Sequence, residues 1–181
     1  AMAIGRTFKE AFQKALRSLE LRGAPDLWAP WPGARRDTER FARDLAAADE
    51  RRIWRVFHAL EDGWDVERLH EATRIDRWFL AQFAELVASA RALRQAGPSL
   101  TPALVSSSRQ AGFSLEEIGR LSGVAVPAIE ALGEAAGIRR VFKRIDTCAA
   151  EFESFTPYLY STFAAECEAD PTPRRKVIIL G

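Results

Sequence analysis

The stretch Asp76-Arg77-Trp78-Phe79-Leu80-Ala81-Gln82-Phe83-Ala84-Glu85-Leu86-Val87-Ala88-Ser89-Ala90-Arg91-Ala92-Leu93-Arg94-Gln95-Ala96-Gly97-Pro98 decides the fold. Asp76 has the side chain of a helix N-cap, and Gly97-Pro98 stops the helix because proline lacks the donor that the next turn needs. Between them Phe79, Phe83, Leu86, Ala90 and Leu93 repeat like a heptad seam, so this long helix has an apolar face to bury. Trp78 falls off that seam, since the residues four and seven positions on are Gln82 and Glu85. Its indole either finds a second surface to cover it or widens the core stripe, and we carry it as a docking candidate.

Helical spacing extends outward in both directions. Thr7 and Glu10 have the spacing of a capping box, followed by Phe8, Phe12, Ala15, Leu16 and Leu19 on one face. The prolines and glycines of Gly23 to Gly33 make a connecting loop, whose Trp28 and Trp31 are expected to cover a core edge. A second helix is expected from about Asp37 to Ala48. A third follows Asp49 with Ile53, Val56, Phe57 and Leu60, and ends at Asp62-Gly63. Val66, Leu69 and Ala72 suggest a short fourth helix. From Thr101 to Gly137 three short helices are punctuated by Gly112, Gly123 and Gly137, with Ser114 and Glu117 as another capping box and Pro127 suited to a first helical position. Arg139 to Ile145 and Phe155 to Thr162 leave this periodicity and look extended. Between them Arg144, Asp146, Cys148 and Glu151 mark a structural junction, in which the two carboxylates can accept hydrogen bonds. The expected fold is all-α, a multi-helix bundle of two helical subdomains with a short extended C-terminal segment.

Composition narrows the function. The chain has 181 residues, 48% hydrophobic and 28% charged, with a formal net charge of +1, which suits one soluble domain with a real core. No window approaches the ~20 apolar residues of a membrane helix, no targeting segment precedes the first helix, and two cysteines suit a reducing compartment; a cytoplasmic location is expected, with no membrane partner. The balanced charge argues against nucleic acid. One rival remains, because Gly112 to Ile129 resembles a helix-turn-helix of transcription regulators. Its second helix, Val126-Pro127-Ala128-Ile129-Glu130-Ala131-Leu132, offers no base-reading donor and one repelling carboxylate.

Catalytic, cofactor-binding and metal residues are expected to be none. Cys148 beside Asp146 lacks an activating base, because His58 and His70 lie on early helices at a spacing that shares no helical face. Glu166 and Glu168 flank Cys167 and are expected to raise its pKa. No glycine-rich phosphate loop and no carboxylate cluster of metal-binding spacing occurs. The tail Lys176-Val177-Ile178-Ile179-Leu180-Gly181 reads as a buried parallel strand about to enter such a loop, and without neighbours it is expected to be disordered or borrowed.

Four segments carry a resemblance: Met2 to Phe8, Ile75 to Leu80, Arg140 to Phe152, and Tyr158 to Thr162. Together they resemble the central oligomerisation domain of the carbamoyl-phosphate synthase large subunit, over nearly the whole chain. The resemblance implies that residues 1–22 trail as a helix from a preceding ATP-grasp half. It makes 23–138 the helical oligomerisation domain, and 139–181 a junction ending in the first strand of the following half. It implies a connector and assembly module, with no cofactor here and ATP with Mg or Mn in the flanking domains. The parent would make carbamoyl phosphate from bicarbonate, glutamine-derived ammonia and two ATP, for arginine and pyrimidine synthesis. Implied partners are further copies of the chain, the flanking ATP-grasp domains and a glutaminase small subunit. Interface candidates are Trp78, then Trp54 and Trp64. Arg77 stands where the family pattern has proline, and Phe163 where it has tyrosine, which puts in doubt how the domain docks.

Overall fold

A computed structural model describes residues 1–19, 27–29, 38–153 and 158–177. These form α1 (Phe8–Arg17), α2 (Thr38–Ala46), α3 (Arg52–Glu61), α4 (Val66–Thr73), α5 (Arg77–Ala96), α6 (Pro102–Gln110), α7 (Leu115–Ser122), α8 (Val126–Ala135), β1 (Val141–Arg144) and β2 (Leu159–Thr162). Trp31, Asp37, the prolines of the early loop and the tail from Ile178 to Gly181 lie outside the described residues, so the expectations placed on them have no structural counterpart.

The central element is α5, which packs on α1, α3, α4 and α7. Asp76 caps it by accepting a hydrogen bond from the Trp78 amide at 2.8 Å, and Gly97 at φ 52° closes it in a conformation that costs glycine little. Its buried stripe is Leu80, Phe83, Leu86, Val87, Ala90 and Leu93. That differs from the expected seam at three residues. Phe79 reaches solvent, while Leu80 and Val87 are fully covered, because a helix with neighbours on several sides needs a wider stripe than a single heptad seam.

Around it, local signals set the ends of the other helices. Asp65 accepts from the Arg68 amide at 2.8 Å to start α4. Ser114 and Glu117 complete both legs of the capping box of α7, at 3.1 Å and 2.7 Å. Pro127 falls in the first turn of α8. Gly119 is required by a close approach: a Cβ there would sit 2.9 Å from the Val124 carbonyl oxygen, where the chain turns from α7 into α8. Trp28 covers the core edge as expected, buried and stacked on Phe113 at 5.0 Å. Helix α2 ends at Ala46, short of the expected Ala48, and Leu19 lies beyond the end of α1.

The extended segments modify the all-α expectation. The fold is mostly helical, yet β1 and β2 pair as a two-stranded antiparallel sheet, with Val141 opposite Thr162 and Arg144 opposite Leu159. Extended backbone leaves its amides without intrasegment partners, so two such runs on one connection satisfy each other. The Ile145 amide donates to the Tyr158 carbonyl at 2.9 Å and lengthens the ladder.

Candidate functional site

Aromatic rings run from the core to the surface along α1 and α5. Phe12 stacks on Phe57 at 5.8 Å and meets Phe83 at 4.8 Å; Phe8 meets Phe83 at 5.7 Å and stands edge-on to Trp78 at 5.4 Å. Trp78 and Phe79 end the series 53% and 42% exposed, edge-on to each other at 5.0 Å. Edge-to-face contact holds these rings in place without covering their outer faces, so a rigid apolar surface faces solvent. Beside it Lys9 of α1 forms an ion pair with Glu85 of α5.

The other two tryptophans sit differently. Trp54 is 7% exposed within the domain core. Trp64 is half-buried, with the Arg68 guanidinium 3.5 Å above its ring and Phe41 edge-on at 5.8 Å. Of the three, Trp78 offers the outward face.

At the junction, Asp146 organises the turn as its position suggests. Its carboxylate accepts from the Cys148 amide at 2.9 Å and the Ala150 amide at 2.5 Å, holding Ala149 and Ala150 at φ 53° and 59°. Positive φ at two consecutive non-glycine residues persists because these bonds over-determine it. Glu151 contributes its backbone amide, which donates to the Cys148 carbonyl at 3.0 Å, while its side chain is exposed. The Arg144 amide donates to Glu168 at 2.8 Å, and its guanidinium lies 3.5 Å from Asp170.

One expectation at this junction reverses. The Cys167 thiol is held below its ordinary pKa, because the backbone amides of Phe142, at 3.4 Å, and Ala169 point at the sulfur and favour the thiolate. The neighbouring carboxylate of Glu168 is turned away, onto Lys143 at 2.8 Å, and is itself held below the carboxylate range, chiefly by that bond.

Two features escaped the sequence. Glu10 is buried and serves far more than a cap. Its carboxylate accepts from the Arg6 amide at 2.6 Å and the Thr162 hydroxyl at 2.9 Å, and pairs with Lys14 at 2.8 Å. Lys14 also donates to the carbonyls of Ile4 at 3.0 Å and Ser161 at 2.5 Å, so α1 clamps β2 from across the chain. The second feature is Arg109 of α6, buried, donating to the Phe113 carbonyl at 2.8 Å and lying 4.3 Å over the ring of Phe163. Both depend on contacts between residues far apart in sequence.

Neither histidine meets Cys148 in a catalytic arrangement among the described residues. His70 Nδ1 bonds the Ile75 carbonyl at 2.8 Å, and His58 is buried on α3, where desolvation pushes its pKa below the ordinary value. The described residues hold no group of three or more His, Cys, Asp or Glu side chains able to bind a metal, and no helix long and apolar enough to cross a membrane. The outward face of α8 carries Ala128, Glu130, Ala131 and Glu134, which would repel a phosphate backbone, so nothing favours the helix-turn-helix alternative.

A mostly helical domain with an exposed aromatic face and a clamped C-terminal strand pair belongs among docking and assembly modules. Comparison with known proteins names the family. Residues 1–137 match the carbamoyl-phosphate synthetase large chain oligomerisation domain, and the chain belongs to that family. It is 45% identical to the carbamoyl phosphate synthase large chain of Myxococcus xanthus across 99% of its own length, and 44% identical to those of Kineococcus radiotolerans and Thermotoga maritima across 100% and 99%. It spans only 17% of the first relative and 16% of the other two.

Proposed function

We propose that this oligomerisation domain works by apolar burial, spacing two catalytic halves of a large chain and bringing copies of that chain together. The carrying observation is the outward face of Trp78 and Phe79, braced by Phe8. A standard interface buries roughly 1,600 Å² in total and concentrates its energy in a few aromatic or arginine anchors. Trp78 is the first anchor; Trp54 and Trp64 act behind it, by shaping the helices that carry the surface.

The helices share one buried core, in which α5 packs on both α4 and α7. Residues 1–22 lead in from a preceding ATP-grasp half, 23–138 form the oligomerisation domain, and 139–181 lead into the next half. Names of the relatives support a parent that makes carbamoyl phosphate; in this reading it works in the cytoplasm, for arginine and pyrimidine synthesis. Its ATP, with Mg or Mn, belongs to the flanking ATP-grasp domains, and its glutamine-derived ammonia to a glutaminase small subunit. The domain carries no step of that reaction; Arg144, Asp146, Cys148 and Glu151 form its structural junction.

Light scattering on the purified chain tests the assembly role. A dimer that grows with concentration supports self-association. A monomer at every concentration would instead make the domain a passive spacer, its apolar face covered by its own flanking domains.

A further inference from the structure

We propose that the cavity between α1, the α6–α7 turn and the end of β2 binds a phosphate group, held by Arg109 and Arg140 on either side of the Phe163 ring. The cavity measures about 280 Å³, and its charged lining is Glu10, Lys14, Arg17, Arg109, Glu116 and Arg140. Most of that charge is already matched. Glu10 is taken by Lys14, Thr162 and the Arg6 amide, and Arg17 pairs with Glu117 at 3.1 Å. Glu116 stays anionic at the start of α7, held by its own backbone amide and then by the Ser114 side chain.

In this cavity Arg109 and Arg140 are left against Glu116, since Glu117, which also acts on Arg109, is already paired with Arg17. Arg140 makes no ion pair within 4 Å among the described residues, and its guanidinium lies 5.8 Å from the Phe163 ring centre, against 4.3 Å for Arg109. The ring fixes both groups by cation–π contact; Arg109 spends one N–H on the Phe113 carbonyl, and its other donors and those of Arg140 are left for a ligand. Burial, followed by the charges of Arg140 and Arg17, lowers Arg109 to about 10, which Glu116 and Glu117 offset only in part. A flat carboxylate is satisfied by a single guanidinium fork. Guanidiniums arriving from α6 and from the approach to β1 suit the several faces of a tetrahedral oxyanion better.

A second cavity, of about 180 Å³, shares Arg109, Arg140 and Phe163; Val105, Ile129 and Ile138 form its apolar wall, and Glu130 and Glu134 of α8 also line it, so only an apolar group, not a second anion, suits it. The ligand class that fits both is a phosphomonoester with a small apolar body.

Arginine side-chain NMR titrations of the 181-residue chain, at constant ionic strength, test this with inorganic phosphate, phenyl phosphate and acetate. Phosphate should shift the Arg109 and Arg140 Nε–H resonances saturably, phenyl phosphate should bind more tightly, and Arg140→Gln should weaken phosphate about tenfold, the loss of one charge-assisted contact. Arg140 is exposed, so this variant should fold, which circular dichroism checks. Absence of a saturable shift, acetate binding as tightly as phosphate, or an unchanged affinity in Arg140→Gln would each overturn the site. Equal affinity for phosphate and phenyl phosphate would overturn the assignment of the apolar recess.

Discussion

Replacing Trp78 with alanine separates a docking residue from a core residue. An aromatic side chain carries ~150–250 Å² of buriable surface. With 53% of Trp78 exposed, roughly 80–130 Å² is available to a partner. At ~25 cal/mol per Å² that is at most about 3 kcal/mol per copy, or on the order of a hundredfold in the dissociation constant. Within the chain, the variant gives up edge contacts to Phe8 and Phe79, about 1 kcal/mol, which lowers the melting temperature by roughly 2–4 °C for a chain of this size. Sedimentation equilibrium measures the first quantity and thermal circular dichroism the second. Trp78→Ala should therefore be a well-folded chain with weakened self-association. An association constant within twofold of the parent would refute the docking role, and a collapse in melting temperature would place the indole in the core.

Two further outcomes follow from the buried polar groups. Glu10→Gln keeps the shape but removes the charge that Lys14, Arg6 and Thr162 share, and should destabilise the fold by about 2 kcal/mol, read as a melting-temperature drop of about 4–8 °C; a change below ~0.5 kcal/mol would show that the clamp contributes nothing. For His58, the folded pKa lies below the ordinary 6.5, so the unfolded chain takes up the proton first as pH falls. Its contribution is complete above about 6.5 and is lost as pH drops through the lower folded value. Urea unfolding should show stability falling below pH 6.5 in the parent and a flatter profile in His58→Gln, whereas identical profiles would exclude this imidazole as the cause.

What the sequence made legible was local. The Asp76 cap, the Gly97 stop and the Ser114 capping box each act within a few residues, and all appear where the spacing put them. Trp78 stood off the seam, and its exposure has the same origin. Non-local choices were hidden. The two extended runs were visible but their pairing was not, since nothing in either run fixes a partner as far off as Thr162 is from Val141. Cys167 shows how the sign of an effect can change. Carboxylates adjacent in sequence suggested a raised pKa, but the backbone amides of Phe142 and Ala169 decide it, and these are placed by the fold. Likewise Leu80 and Val87 join the α5 stripe only because several helices surround it.

The Glu10 clamp also gives the domain its mechanical logic. Arg6 and Ile4, which precede α1, and Ser161 and Thr162, which close β2, bind the same two side chains, Glu10 and Lys14. The lead-in to the helices and the strand that leaves them are thus fastened side by side. Burial makes the fastening firm, because an unpaired carboxylate at that depth would be costly. The same α1 presents Phe8 to Trp78 two residues from Glu10, about half a turn. A load on the aromatic face therefore reaches the junction through about half a helical turn of α1. If that path is rigid, Glu10→Gln should loosen the junction and leave the order of the Trp78 indole intact, while Trp78→Ala should leave the pairing of β1 with β2 untouched. Hydrogen exchange at the Val141 to Ile145 amides tells the two variants apart.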